Sequence, residues 1–127
     1  MIVIKGEIHS SKNSRRIFVN KKSGKPFVAK SKASKDDEGS LMPQLNTQRE
    51  TWKRMIAGKQ YPLFVVFHFV RKTERRWDFA NLLQGVADAM VKAEYLPDDD
   101  VNHFIPVWGG YTINKTEPGV EFWLEEQ

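Results

Sequence analysis

Hydrophobic and polar positions along the first forty residues predict three short strands and a polar connection. Residues 2–8 alternate apolar and polar side chains, which is typical of a half-buried strand. Residues 16–19 and 26–29 predict two more strands, and the polar, glycine-containing residues 20–25 between them favour a hairpin turn. Residues 34–40 are charged and lack apolar periodicity, so we expect a flexible segment there.

The middle of the chain carries the first helical pattern and the most apolar strand. Residues 45–57 place apolar side chains at helical spacing and predict an amphipathic helix that ends near Gly58. Residues 61–71 are rich in Phe and Val with few polar interruptions. Such a run predicts a central strand that is well buried.

A second helix and two late strands complete the pattern. Residues 79–93 carry an apolar stripe at helical spacing, and Asp78 is of the residue type that caps a helix N-terminus. Residues 104–107 and 120–125 predict strands, with a turn at residues 109–110, which are both glycine. The order β-β-β-α-β-α-β-β predicts an α+β fold with a small mixed sheet and two main helices.

Length and composition fit one domain over residues 1–127. Apolar residues make up 40% and charged residues 28%, which is enough to build a core. The absence of cysteine excludes a disulfide scaffold, a cysteine nucleophile and a Cys-ligated metal, and the three histidines lack helical ligand spacing. The most apolar run, residues 61–70, is about half a membrane span, and the N-terminus does not resemble a signal peptide. We therefore expect a cytoplasmic protein without a membrane partner.

Positive charge is concentrated in the first half of the chain. The net charge is +4, but residues 1–60 carry 14 basic and 5 acidic residues, whereas residues 61–127 carry 6 and 11. Ten of the cations and a single acid lie between Lys5 and Lys35. This segment is either a solvated basic surface or a face that binds phosphates, and its concentration of charge favours the second interpretation.

Two acidic sites stand out in the second half. Asp78, Asn81 and Asp88 lie at spacings that put them on one helix face, and residues 98–100 are three consecutive aspartates. Oxygen ligands of this kind suit Mg²⁺, which takes one or two protein carboxylates and leaves other positions to water and phosphate. The simpler alternatives are that Asp78 only caps a helix and that the triplet only forms a solvated turn. Acidic clusters downstream of a basic segment favour metal-assisted phosphodiester hydrolysis instead.

Three blocks of sequence resemble the RusA family of Holliday-junction resolvases, which are small dimeric Mg²⁺-dependent endonucleases common in phages. The early basic block spans residues 11–18 and 26–32. Residues 77–90, Trp-Asp-Phe-Ala-Asn-Leu-Leu-Gln-Gly-Val-Ala-Asp-Ala-Met, resemble the family's central motif Asp-x-Asp-Asn-Leu-x-Lys and its later Asp-Ala pair. Residues 96–101 resemble its Asp-Asp turn. The resemblance implies a RusA-like dimer that resolves four-way DNA junctions in recombination and repair.

The resemblance assigns roles to individual residues. It implies that Asp78, Asp98 and Asp99 are catalytic, that these three and Asp100 hold Mg²⁺ or Mn²⁺, and that Asn81, Gln84 and Asp88 support them. It implies that branched DNA is gripped by Lys12, Arg15, Arg16, Lys30, Lys32, Arg75 and Arg76. Ala80 stands where the family usually has a second aspartate, and Gln84 where it has a lysine. The chain is therefore either a divergent resolvase or a junction-binding protein that cleaves poorly, and a protein-interaction module with a basic face is a weaker third hypothesis.

Simple geometry adds a further expectation. A helix of about fifteen residues after Asp78 would be roughly 22 Å long. The few residues that lead back to Asp98 span at most about 17 Å. Unless that helix is shorter or the return is direct, the two aspartates cannot share a metal within one chain. We therefore expect a site that is supplied partly by the second subunit of a two-fold homodimer.

Overall fold

The computed structural model describes residues 1–9, 15–19, 26–30 and 32–126, and within residues 15–38 it describes the backbone alone. The predicted element order is confirmed. The elements are β1 (Ile2–Lys5), β2 (Arg15–Val19), β3 (Pro26–Lys30), α1 (Lys32–Ile56), β4 (Leu63–Arg71), α2 (Phe79–Lys92), β5 (Phe104–Ile113) and β6 (Gly119–Leu124). In the described part of the chain, neither helix is both long enough and apolar enough to cross a bilayer.

The sheet is mixed, as the pattern predicts. Four strands pair in the order β1-β6-β4-β5, with β6 antiparallel to both of its neighbours and β5 parallel to β4. Strands β4 and β5 are therefore joined by a parallel crossover that contains α2. Strands β2 and β3 form a separate antiparallel hairpin in which Arg15 pairs with Lys30. The turn predicted at residues 20–25 lies outside the described residues.

The core lies between the sheet and the two helices. Leu63, Val65, Phe67 and Phe69 alternate along β4 and are at most 3% exposed, while the residues between them are only half-buried. The predicted apolar stripe of α2 is confirmed, because Leu82, Leu83, Val86 and Met90 are buried. Strand β4 is thus the central strand, and one face of the sheet carries the main core.

The expectation of a flexible segment at residues 34–40 is wrong, because α1 starts at Lys32 and includes it. Apolar periodicity marks only the part of a helix that packs on a core. In α1 the packed part includes Leu41, Leu45 and Trp52, all buried. The preceding polar turns carry no such signal. The predicted end is confirmed: the helix stops at Ile56, and Gly58 follows with φ of +77°.

The turn predicted at residues 109–110 is also wrong, because both glycines lie inside β5. A Cβ on Gly109 would lie 2.6 Å from the Phe67 carbonyl oxygen, so only glycine permits this approach of β5 to β4. Gly110 has φ of +89°, and the strand register shifts between Phe67 and Phe69. The glycine pair therefore accommodates an irregularity within a strand.

Strand β1 is an edge of the sheet, and two glutamines of α1 cover its outer side. The Gln44 side chain accepts a hydrogen bond from the Lys5 N–H at 2.8 Å and donates one to the Lys5 carbonyl at 2.7 Å. One helical turn later, Gln48 bonds both backbone groups of Val3 in the same way, at 3.2 and 2.8 Å. The two amides replace a neighbouring strand, so this edge offers few free backbone groups for pairing with another chain.

Trp52 and Tyr95 connect α1 to the segment that follows α2. Their rings stack with centroids 5.3 Å apart, and the Trp52 indole donates a hydrogen bond to the Tyr95 carbonyl at 2.8 Å. The Tyr95 hydroxyl donates to the Leu45 carbonyl at 2.6 Å. Burial raises the pKa of Tyr95 to about 12, and nearby Arg49 only partly offsets this effect.

Replacing Tyr95 with phenylalanine is expected to change how stability depends on alkaline pH. The folded protein holds the phenol proton more tightly than the unfolded chain. Tyr95 therefore makes its full contribution to the free energy of unfolding below pH 10 and loses this contribution as the pH rises to about 12. Urea unfolding should show the wild type about 1 kcal/mol more stable than Tyr95→Phe at pH 8. That advantage should fall by about 2 kcal/mol between pH 10 and 12. A constant difference across this range would contradict the assignment.

Candidate functional site

Asp78 lies at the N-terminus of α2 and caps it. Its backbone is extended, with φ of −116° and ψ of 119°, and its Oδ1 accepts a hydrogen bond from the Ala80 N–H at 3.0 Å. The capping role is therefore confirmed, but it uses one carboxylate oxygen and leaves the side chain exposed. The helix dipole favours a negative charge at this end. Asp78 is thus an exposed carboxyl side chain that uses one oxygen for the cap and has a second oxygen besides it.

A cleft of about 520 Å³ opens beside Asp78. Its walls are formed by Ile8, His9, Arg71, Arg76, Trp77, Asp78, Phe79, Asn81 and Leu82. Arg71 is held in place, because its Nη1 donates to the Ile8 carbonyl at 2.8 Å and its guanidinium lies 5.4 Å from the centre of the Trp77 ring. A fixed guanidinium and the exposed Arg76 beside one carboxylate form a surface that could hold an anion and a cation together.

Aromatic side chains form a second, smaller cleft of about 280 Å³ next to the first. The ring centroid of Trp77 lies 5.9 Å from that of Trp108 and 5.3 Å from that of Tyr111. The ring centroids of Phe79 and Trp108 are 4.9 Å apart. The cleft also includes the exposed Arg75 and Arg76. Trp108 and Tyr111 are about half exposed. Residues 72–77, a segment with three basic side chains that we call the basic loop, therefore join this aromatic surface to the Asp78 cleft.

The predicted acidic turn, residues 97–100, is present and exposed. The Asp98 carboxylate accepts a hydrogen bond from the Asp99 N–H at 2.8 Å. The Asp100 carboxylate lies 2.5 Å from His103 Nδ1, and the Asp100 carbonyl accepts from the Phe104 N–H at 2.9 Å. Asp100 is therefore engaged in shaping the turn that leads into β5, whereas Asp99 is exposed and free to face another molecule.

One chain does not bring Asp78 and the acidic turn together. Asp78 follows the end of β4 and shares a cleft with Arg71, the last residue of that strand. The acidic turn precedes β5, whose first residue pairs with Leu63 at the start of β4. The nine residues of β4 and the fourteen residues of α2 each run from one of these sites to the other. The lengths of the two elements put the sites roughly 20–30 Å apart. Within the described ranges, no three His, Asp or Glu side chains come close enough to hold one metal ion.

The residues predicted to support Asp78 share its helix. Asn81 lines the cleft and is half-buried, Asp88 is half-buried two turns further on, and Gln84 is exposed. Ala80, at the position of the missing aspartate, is exposed and contributes its N–H to the cap. Both positions at which the sequence departs from the RusA pattern therefore face solvent on the first turns of α2.

The predicted DNA-binding residues fall into two groups. Arg75 and Arg76 are exposed beside the Asp78 cleft. Arg15, Arg16 and Lys30 lie on the β2–β3 hairpin and Lys32 begins α1, but the structure describes only their backbone, and Lys12 is outside the described residues. The hairpin register places Arg15 opposite Lys30.

Sequence reasoning missed three residues at these sites. His9 and Arg71 line the Asp78 cleft, and His103 contacts Asp100. His9 follows a strand pattern and Arg71 ends one, so neither position carries a local signal of its role. The i,i+3 spacing of Asp100 and His103 was the only available indication.

No protein-family profile matches this chain, and a search of curated proteins finds no relative of it.

Proposed function

We propose that this chain is a Mg²⁺-dependent endonuclease that acts on branched DNA, with four-way junctions as its substrate. The observation that carries the proposal is the Asp78 cleft, where a solvent-directed carboxylate at a helix N-terminus lies beside Arg71 and Arg76. A phosphodiester is an anion that needs cations to bind it and a metal to activate water and stabilise the transition state. The resemblance to RusA resolvases in the residues around Asp78 supports the same reaction.

The carboxylate oxygens of the predicted site residues fit a hard metal ion, although one chain supplies only part of the metal site. Asp78 offers carboxylate oxygen, and Mg²⁺ in nucleic-acid enzymes takes one or two such ligands together with phosphate and water. The second carboxylates would be Asp98 and Asp99 of another subunit, with Asp100 acting through the shape of the turn. A bound metal would supply Lewis acidity and an activated water. Arg71 and Arg76 would orient the phosphate in the cleft, which Asn81 also lines.

A catalytically impaired junction-binding protein is the second candidate function. Ala80 cannot ligate a metal and Gln84 carries no positive charge, and both are exposed where a substrate would lie. The exposed Arg75 and Arg76 would bind DNA equally well without hydrolysis.

One titration distinguishes these two functions. A labelled four-way junction is incubated with the protein and either Mg²⁺, Mn²⁺ or EDTA, and both retardation and nicking are measured. The endonuclease is expected to retard the junction in EDTA and to nick it symmetrically once metal is added. A linear duplex of the same sequence serves as the control, and it should bind at least about tenfold more weakly if shape is recognised.

The remaining outcomes are equally informative. Retardation without nicking would contradict the endonuclease and favour the binding protein. Nicking gained in Ala80→Asp with Gln84→Lys would then show that only these two side chains limit catalysis. Equal binding to junction and duplex at moderate salt would contradict both proposals and favour a protein-interaction module.

A further inference from the structure

Two aromatic side chains of β5 lie on the same side of the sheet because the strand is irregular between them. Trp108 pairs with Phe67 of β4. Three positions later, Tyr111 pairs with Phe69, which is only two positions further along β4. In a regular strand, side chains three positions apart lie on opposite faces. The additional residue in β5 therefore turns Tyr111 to the side of Trp108, and the two ring centroids lie 6.2 Å apart.

Two further rings hold this pair in place from the inside of the protein. Trp77 and Phe79 both pack on the buried Phe69, at centroid distances of 5.5 and 5.8 Å. Trp77 contacts both rings of the pair, and Phe79 contacts Trp108. We call the surface formed by Trp77, Phe79, Trp108 and Tyr111 the aromatic cleft. Because these rings are already positioned, they lose little conformational entropy when a ligand stacks on them.

The outer part of the aromatic cleft is open to solvent. Trp108 and Tyr111 are 51% and 50% exposed, and their ring planes are inclined by 51°, so neither ring covers the face of the other. The cleft volume of about 280 Å³ lies just below the range of small-molecule sites, roughly 300–1,000 Å³. A cleft of this size and lining suits one flat ring system rather than the side of a duplex.

Positive charge borders the aromatic cleft. Arg75 and Arg76 of the basic loop line it together with Glu74, and all three are exposed. Proteins bind single-stranded nucleic acid with this combination, because bases stack on the aromatic rings and basic side chains contact the phosphates. In a duplex each base is stacked between its neighbours, so its face is accessible only where pairing and stacking are interrupted. The lining of the cleft therefore favours an unpaired base with its adjoining phosphates.

We propose that the aromatic cleft binds one unpaired nucleobase of a DNA strand, which stacks on Trp108 and Tyr111 while the arginines of the basic loop contact the phosphates beside it. Every base has an aromatic face, so this recognition distinguishes unpaired from paired bases without reading their sequence. The choice of branched DNA as the source of that base rests on the proposed function. The binding of an unpaired base does not.

The aromatic cleft is continuous with the Asp78 cleft. Arg76, Trp77 and Phe79 line both of them. A strand whose base lies in the aromatic cleft therefore passes directly beside the Asp78 carboxylate. Stacking fixes the position of the strand at this point, and a fully paired duplex offers no base to be held in the same way.

Binding of a labelled single-stranded thymidine dodecamer, measured by fluorescence anisotropy, tests the stacking directly. Trp108→Leu and Tyr111→Leu each remove a flat ring but keep an apolar side chain, and each should raise the Kd at least about fivefold. Trp108→Phe retains an aromatic face and should stay within about twofold of the wild type. Tyr61→Leu removes a ring of similar exposure, 47%, just before β4. This matched control should bind as the wild type does.

A dodecamer with the same backbone but without bases separates stacking from charge. It should bind the wild type and Trp108→Leu equally, because only phosphates remain to be contacted. A wild type that does not bind the thymidine strand would overturn the proposal. So would Trp108→Leu and Tyr111→Leu proteins that are folded by circular dichroism and bind that strand as tightly as the wild type. An equal loss of affinity for both strands in these variants would also overturn it, since the base would then contribute nothing.

The four-way junction distinguishes a failure of this proposal from a failure of the proposed function. Trp108→Leu is expected to weaken binding to the junction more than binding to a linear duplex. A wild type that neither binds nor nicks the junction, but whose binding of the thymidine strand depends on Trp108, would contradict the proposed function alone. Junction binding and nicking that persist in Trp108→Leu, together with unchanged affinity for the thymidine strand, would contradict the role of the aromatic cleft alone.

Discussion

Asp78→Asn is expected to abolish junction cleavage, with a loss of at least about 10³-fold, while binding to the junction stays equal or becomes slightly tighter. The substitution keeps the shape of the side chain and its capping oxygen, so the hydrogen bond from the Ala80 N–H at 3.0 Å can persist. Asparagine is as good a helix cap as aspartate. What is lost is the negative charge that a metal requires, so the change isolates ligation from folding. Initial nicking rates and retardation of the same labelled junction give the two measurements.

Glu50→Gln is a suitable control because it removes one negative charge from an exposed position on α1, away from the cleft. It should nick at the wild-type rate. Cleavage that survives Asp78→Asn would contradict a metal-holding role for this carboxylate. Binding that disappears although circular dichroism shows an intact fold would contradict a purely catalytic role.

Mixed subunits extend this experiment to the second acidic site. Asp78→Asn and Asp99→Asn chains should each be inactive alone, yet after mixing a heterodimer contains one site with both carboxylates. About a quarter of the wild-type nicking is then expected, since half of the dimers are mixed and each has one complete site of two. An inactive mixture of chains that fold and exchange would contradict a shared site.

The elements that sequence predicts well are those whose pattern is set by burial. Phe67 and Phe69 alternate with half-buried neighbours in β4, and the cap and apolar stripe of α2 are readable because both follow local rules. The start of α1 is not readable, since a polar helical turn makes no contact that imposes a period. A glycine at position 109 does not by itself indicate its structure, because glycine suits both a turn and a strand whose neighbour approaches too closely for a Cβ.

The site is harder to predict than the fold because its residues meet through tertiary pairing. Asp78 is identified by its cap position and its motif, whereas Arg71 and His9 join it only because β1 and β4 end near the same cleft. The separation of Asp78 from the acidic turn depends on the parallel pairing of β4 and β5. That pairing is a property of the sheet, and neither motif alone specifies it. The only indication of this separation in the sequence was the predicted length of the helix that follows Asp78.

Junction binding is expected to weaken about 10³-fold when monovalent salt rises from about 50 to 200 mM. This corresponds to a log–log slope near −5, which follows if about six phosphates are contacted by basic side chains. The net charge of +4 is modest, but the excess of cations in residues 1–60 together with the basic loop supplies the contacts locally. Phosphate contacts do not distinguish one base sequence from another, so the slope should be the same for junctions of different sequence.

Arg75 and Arg76 contribute a defined share of that slope if they contact phosphates beside the Asp78 cleft. Arg75→Gln with Arg76→Gln should reduce its magnitude by about two, because each phosphate contact contributes about 0.9. Lys53→Gln with Arg54→Gln removes the same charge from the exposed last turn of α1 and should leave the slope unchanged. Equal reductions in both variants would mean that DNA responds only to net charge. An unchanged slope in the Arg75 and Arg76 variant would mean that the DNA binds away from the cleft. The phosphate that Asp78 is proposed to act on would then not lie there either.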